Sequence, residues 1–521
     1  MEILIAFIVY LVAALPWLKI IQIKEYFFPS LWAHFDYPSS WSIFFKRSEI
    51  FLLGLWLLLA IAAWLGLNLT PAITNLWFLL LGILLIVLLF KRRPLLQSFH
   101  WTPKFLFINF LLLILLARIV QYSGLNLLTF VLLATKISQL PLVLFSTYLA
   151  NALTAFYAIF LYARAGQKIE KYKQQGLEII GITGSYGKSS TKEFLGQLLG
   201  AKYKVLRSPA RLNAEIGLAQ FVLKSNLDNV DYLILEMGAR AVGEIETLSK
   251  IFEPKIVHLT GLAPQHIATF GSMAKIIKAK LEILPTAMLD GIVLLNGADT
   301  FLQEIYTEIN VPRKYLYGTG GHFYSKDENY SLEGTDFTFV HPGGEIRLKT
   351  NLIAPLQVEN LVGALAGCYL LGLKPDALAA TIKHLELLPH SYQILKTENP
   401  LIIDDSYNVN LVGAIKGAKH FLSLPLEQKI IIFAGILELG PETPNYYRQL
   451  IDVFKKADQV FLTFVDFAEV FSESIATAES LTEEKFTKFY PSLSKDKAGI
   501  LILGRVPSWV FTILAGQSNY L

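Results

Sequence analysis

Apolar residues dominate the first third of the chain, whereas the remainder alternates short apolar runs with helically spaced ones. Runs at 3–18, 50–67, 76–90 and 105–120, and a longer one beginning near Asn126, are candidate membrane spans. The middle three approach the roughly 17–25 apolar residues that a bilayer core requires. The first lacks a basic leader and a small-residue cleavage site, so it reads as a retained anchor. Lys19, Lys24, Lys46 and Arg47 lie in one loop, and Lys91-Arg-Arg93 and Lys104 bracket another. Arg164, Lys168, Lys171 and Lys173 follow the last run, while 68–75 and 121–125 hold no Lys or Arg. Five crossings then place every basic loop in the cytoplasm. The expectation is a multi-pass protein of the cytoplasmic (inner) membrane, in contact with the lipid bilayer, its remaining residues facing the cytoplasm. Lys136 and Pro141 interrupt the last run, and two short crossings there would make six.

Beyond residue 163 the period changes. Leu177–Ile180, Tyr232–Gly238, Ile256–Thr260 and Gly291–Asn296 read as buried strands, with helical spacing between them. Residues 314–352 alternate apolar and polar positions around glycine turns, as a short antiparallel excursion does. A second series begins near residue 388 with strands at Pro400–Asp404, Lys429–Phe433, Gln459–Thr463 and Gly499–Leu503. Strand alternating with helix predicts an α/β fold built on doubly wound parallel sheets. The expected domains are a helical membrane domain over 1–163, a central nucleotide-binding domain over 174–387 and a Rossmann-like domain over 388–521.

Composition sharpens this division. At 521 residues the chain is too long for one core. Hydrophobic residues reach 53% and charged ones 17%, a shift toward membrane composition. A net charge of +4 gives no basis for nucleic-acid binding. The single cysteine, Cys368, excludes a disulfide framework or a zinc ribbon within one chain.

The candidate chemistry centres on Gly181-Ile-Thr-Gly-Ser-Tyr-Gly-Lys-Ser-Ser-Thr191, a glycine turn between a strand and a helix. Backbone N–H groups in that context wrap a phosphate. Gly184 and Gly187 admit its oxygens, Lys188 neutralises them, and the hydroxyl of Ser189 or Ser190 suits Mg²⁺. Ser185 and Tyr186 complete the loop. Glu236 ends a buried strand, where ligands sit in a parallel sheet. His266 lies in a loop, and Lys278 and Lys280 lie on the helix that follows. Asp404-Asp-Ser-Tyr-Asn-Val-Asn410 offers carboxylates, a phenol and amides suited to ribose, phosphate or an amine.

Together these blocks resemble the Mur ligases, and within them the branch that adds D-alanyl-D-alanine to a muramoyl tripeptide. The matching residues are Thr183–Glu193, Leu212-Asn213 with Ile216-Gly217, Leu235–Ala239 followed by Gly243-Glu-Ile245, and His266 with Phe270-Gly-Ser272. They continue with Lys278–Ile283, Asp404–Asn410 and Leu437-Glu-Leu-Gly440. The resemblance implies an ATP-dependent, ADP-forming amide ligase of peptidoglycan precursor synthesis that works through an acyl phosphate. Lys188, Glu236, His266 and Lys280 are then the expected catalytic set. Mg²⁺ falls to Ser189, Glu236, His266 and a carbamylated Lys280. ATP falls to residues 184–190 together with Asn360, Asp405 and Tyr407. Substrate contacts fall to Asn213, Asp404, Ser406, Asn408 and Asn410. The partners implied are a muropeptide or lipid-linked envelope precursor and a small amine or dipeptide donor.

The chain also departs from the family pattern. Its His-Asn pair reads Glu359-Asn360, Gly363 replaces a second Asn, and the junction Pro-Gly-Arg reads Pro389-His-Ser391. The aspartate expected shortly before Glu438 is missing, and a Lys-Gly-Ser reads Leu503-Gly-Arg505. The usual uridine-nucleotide domain finds no room before the phosphate loop, which favours a lipid-linked acceptor. Two alternatives fit the same motifs: a ligase for another envelope or poly-amino-acid polymer, and a membrane nucleotide sensor or transport subunit that kept the fold.

Overall fold

The computed structural model describes residues 139–514 apart from 288–289, 396–399, 437, 465–466 and 494–496. The apolar runs at 3–18, 50–67, 76–90 and 105–120, and the start of the last run, lie outside the described residues. The chain divides into two compact units, 1–159 and 160–521.

The inner-membrane localisation is corrected. Among the described residues no helix is long and apolar enough to cross a membrane. The helix Gln139–Lys173 turns polar in its second half, with basic residues in its last turn. There Leu161, Ala165 and Ile169 pack into a protein core, and Lys168 donates to the carbonyls of Leu223 (3.1 Å) and Ser225 (2.7 Å).

Within 160–521 the first sheet joins β1 (Glu178–Thr183), β2 (Val205–Arg207), β3 (Tyr232–Glu236), β4 (Ile256–Leu259), β5 (Ile292–Asn296) and β6 (Lys314–Tyr317). Its order is β2-β3-β1-β4-β5-β6, and every pairing is parallel. The strand interiors are mostly apolar because both faces are covered, and polar residues such as Glu178, Glu236 and Asn296 fall at strand ends. Ile179, Leu233, Val257 and Val293 face one core, and Ile180, Ile182, Ile234 and Leu294 face the other. The helices Lys188–Leu199 and Pro355–Leu370 lie on the second face. The antiparallel excursion is a three-stranded sheet of β7 (Tyr324–Ser331), β8 (Gly334–His341) and β9 (Gly344–Thr350).

The second large sheet comprises β10 (Gln393–Leu395), β11 (Leu401–Asp405), β12 (Gln428–Phe433), β13 (Gln459–Leu462), β14 (Ala478–Ser480) and β15 (Ala498–Leu503). Its order is β10-β11-β15-β12-β13-β14, parallel except for β10.

β1 pairs β3 on one side and β4 on the other. The chain direction across the sheet reverses at β1, so a crevice opens at its carboxyl end. The glycine-rich turn sits there.

Candidate functional site

Thr183 ends β1, and the helix Lys188–Leu199 starts one tight turn later. Gly184 has φ 150° and Gly187, the helix N-cap, has φ 78°. A Cβ on Gly187 would fall 2.5 Å from Oδ1 of Asn360, and one on Gly184 would strike the Thr260 hydroxyl. Only glycine fits either position. The Ser185 N–H donates to the Gly261 carbonyl at 2.6 Å, and the buried Tyr186 ring lies against Gly261. The loop is thus fastened to the end of β4. Lys188 Nζ folds back onto the Gly184 carbonyl at 2.7 Å. Ser190 follows in the first helical turn.

Glu236, 2% exposed at the end of β3, is the hub. Its Oε2 accepts from Ser189 Oγ at 2.8 Å and from Lys192 Nζ at 3.4 Å, and its Oε1 accepts from Asn213 Nδ2 at 3.0 Å. Burial alone would raise this carboxyl, but Lys188 and Lys192 and the bonds from Asn213 and Ser189 hold it below the usual carboxylate range.

Lys280, 3% exposed on the helix Met273–Leu281, has its ammonium brought down to about 7. Loss of solvent is the main cause and the Lys188 charge the next; Glu244, Glu282 and Glu236 oppose them. Lys188, Ser189, Asn213, Glu236 and Lys280 therefore share one electrostatic neighbourhood. His266, in the left-handed region at φ 56°, pairs its Nδ1 with Oε2 of Glu438 at 2.5 Å. Among the described residues no hydrogen bond or ion pair joins His266 to Glu236 or Lys280. Ala268 N–H donates to the Glu438 carbonyl at 3.0 Å, so the turn after β12 lies directly on this loop.

Asn360 is buried on the helix Pro355–Leu370 with Oδ1 lacking any partner, right against Gly187. In the loop after β11, Asp404 is fully buried and accepts from Ser406 N–H at 3.1 Å, while its Oδ2 pairs with His390 Nδ1 at 2.6 Å. Burial and then Asp404 push the Asp405 carboxyl up to about 7. The Arg211 guanidinium stands 4.9 Å from the centre of the Tyr407 ring, whose buried hydroxyl has no partner. Asn408 is exposed. Asn410 is spent as a helix cap, accepting from Gly413 N–H at 2.9 Å.

These features fit a nucleotide phosphate. The cradle has two glycines in positive φ, the Ser185 hydroxyl and Asn360 Oδ1 are buried without partners, and a lysine sits at the helix N-terminus. Among the described residues no group of three or more His, Cys, Asp or Glu could by itself hold a metal. An ion here would draw on the Ser189 hydroxyl and the Glu236 carboxylate.

Sequence reasoning missed Lys192, Glu359, His390 and Lys416 as polar partners, and passed over Glu438 inside a motif it quoted. Lys192 reads as a helix lysine until the fold buries it completely beside Glu236.

Residues 182–368 match the family model of the Mur ligase middle domain. The chain is 32% identical over 304 residues to the UDP-N-acetylmuramoyl-tripeptide–D-alanyl-D-alanine ligase of Bacillus subtilis, an alignment covering 57% of this chain and 65% of that one. It is 28% identical over 289 residues to the ligase of the same name from Escherichia coli, covering 55% and 64%. The chain thus spans just under two thirds of the length of these two relatives. Its fold is similar to that of the MurF ligase of Thermotoga maritima in complex with ADP, with a TM-score of 0.61 at 23% identity, covering 69% of this chain and 82% of that one.

Proposed function

We propose, on the premise that the chain belongs to the Mur ligase family, that it is an ATP-dependent, ADP-forming ligase. It joins D-alanyl-D-alanine or a similar amine to the carboxylate of a muramoyl peptide carried on a nucleotide or a lipid. The observation that carries this reading is the grouping of Lys188, Ser189 and Glu236 beneath the glycine turn, with the buried amine of Lys280 within their field.

In the first step a carboxylate oxygen of the acceptor attacks the γ-phosphorus of ATP, and ADP leaves. Lys188 swings from the Gly184 carbonyl to the phosphates and offsets the charge of the moving phosphoryl group. In the second step the amine nitrogen attacks the acyl carbon, the C–O bond to phosphate breaks, and the nitrogen gives up a proton. The Ser189 hydroxyl and Glu236, with His266 and a carbamylated Lys280, would hold a magnesium ion, which when bound would supply further positive charge to the phosphoryl oxygens. Lys280 suits carbamylation because an amine near 7 is largely neutral at mildly alkaline pH and can add CO₂, becoming an anionic oxygen donor. Asn360 faces the nucleotide from the helix side. Asp405 and Tyr407 approach from the lobe formed by 388–521, which meets the lobe 174–387 and keeps water from the acyl phosphate.

Steady-state ADP release by the full chain tests this. With Mg-ATP, release requires both a muramoyl tripeptide and D-alanyl-D-alanine, and Lys188→Ala abolishes it. Release that ignores both organic substrates would leave only an ATPase.

A further inference from the structure

Glu359 occupies a position at which nothing in the proposed chemistry needs a carboxylate, yet both its oxygens are engaged. Oε2 takes the Lys416 ammonium at 2.5 Å, and Lys416 stands on the helix Leu411–Ser423 that follows the Asp404–Asn410 loop. Oε1 accepts from Asn296 Nδ2 at 2.6 Å, at the carboxyl end of β5. The same amide nitrogen donates to the Thr260 carbonyl at 2.9 Å, and Asn296 Oδ1 accepts from Ala298 N–H at 2.9 Å. Asn296 is fully buried and has no freedom left. The Thr260 hydroxyl in turn lies against the carbonyls of Tyr186 and Thr183, inside the glycine turn. A continuous polar chain therefore runs from Lys416 through Glu359, Asn296 and Thr260 to the backbone that wraps the phosphate. Glu359 also directly precedes Asn360, whose unpartnered Oδ1 touches Gly187.

We propose that Glu359 is a positioning residue for the nucleotide: through Asn296 and Thr260 it makes the shape of the phosphate loop depend on Lys416, and so on the seating of the second lobe. Buried polar chains act this way because each member has one satisfied arrangement, and loss of one end leaves the next group unpaired. The Glu359–Lys416 link is half-buried, so it is less screened than a surface pair. The inference rests on the nucleotide site proposed above and adds to it a dependence on the other lobe.

The test is calorimetric binding of the non-hydrolysable ATP analogue AMP-PNP, with Mg²⁺, to the full chain. Glu359→Gln and Lys416→Met each weaken binding by roughly tenfold, within the usual range of a coupling between sites. The double variant is no weaker than either single one, because both cut the same chain. Lys416→Arg, which keeps the charge, binds close to the wild-type value. Unchanged affinity in both single variants, multiplied losses in the double variant, or Lys416→Arg as weak as Lys416→Met would each overturn the inference. If Glu359→Gln does not fold, the Met and Arg variants of the partly exposed Lys416 decide it. A wild-type chain that binds no AMP-PNP sinks the nucleotide site itself, whereas a wild type that binds alongside indifferent variants sinks only the relay.

Discussion

The Ser189 hydroxyl donates to Oε2 of Glu236 at 2.8 Å, joining the first turn of the phosphate-loop helix to the end of β3. That oxygen also receives Lys192, a fully buried ammonium whose other carboxylate is Glu193 at 3.4 Å. Glu236→Gln therefore does two things. It removes an anion from the proposed reaction centre, with an expected loss of about 10²–10³ in kcat, the scale seen when one electrostatic group is deleted. It also leaves Lys192 with one carboxylate, Glu193, beside the Pro209 carbonyl at 3.4 Å, and thermal unfolding should show a loss of about 3 kcal/mol.

Gly187→Ala places a methyl group 2.5 Å from Asn360 Oδ1 at a φ of 78°. The left-handed backbone alone costs about 1–2 kcal/mol. The clash adds displacement of the loop, so nucleotide binding should fall by at least tenfold while far-UV circular dichroism stays native. Gly176→Ala, also at positive φ but with open space around its Cβ, should lose stability without losing nucleotide affinity.

Lys280 gives the chain a stability slope of known sign. Its folded value lies near 7 and its ordinary value is 10.5. Between these limits the unfolded chain holds the proton that the folded chain refuses. Stability conferred by the neutral amine is complete above about 10.5 and is lost as the pH falls through 7. Lys280→Met should flatten this slope, with a gain in Tm of a few degrees over wild type at pH 7 that shrinks toward pH 10. The same variant should lose ligation at every pH, whereas wild type depleted of CO₂ should regain activity on addition of bicarbonate.

Glu438 pairs with Nδ1 of His266, and in the proposed site the ring would offer Nε2 to the metal. Partners that orient a metal-binding imidazole are worth about 10–100-fold in metal affinity or activity. Glu438→Gln should raise the Mg²⁺ concentration for half-maximal turnover by that order, with the ATP KM at saturating Mg²⁺ changed far less. An unchanged Mg²⁺ requirement would assign the pair to lobe packing alone.

Much of this site was legible because its residues lie at strand ends. Apolar runs at 232–236, 256–259, 292–296, 401–405 and 428–433 mark buried strands, and the polar residues at or just beyond their ends make up the candidate site. The short strands Val205–Arg207, Gln393–Leu395 and Ala478–Ser480 escaped, since three residues show no clear period and sheet pairing alone forms them, while Lys314–Tyr317, read as the start of the antiparallel excursion, instead pairs in parallel with β5. Pairs such as Lys416–Glu359 and His266–Glu438 join positions 57 and 172 residues apart. No local pattern encodes a partner at that separation; only the packing of the two sheets brings it near. Asn410 shows a different limit, because the helix cap that its Oδ1 forms with the Gly413 N–H was not read from the polar loop.

Mass analysis of the product shows whether the chain forms an amide between dipeptide and muramoyl peptide. The full chain is incubated with Mg-ATP, isotopically labelled D-alanyl-D-alanine and either the UDP-linked or the lipid-linked muramoyl tripeptide. One acceptor should gain the mass of the labelled dipeptide less one water, with one ADP and one phosphate released per amide formed. ADP formation with neither acceptor carrying the label would contradict that expectation.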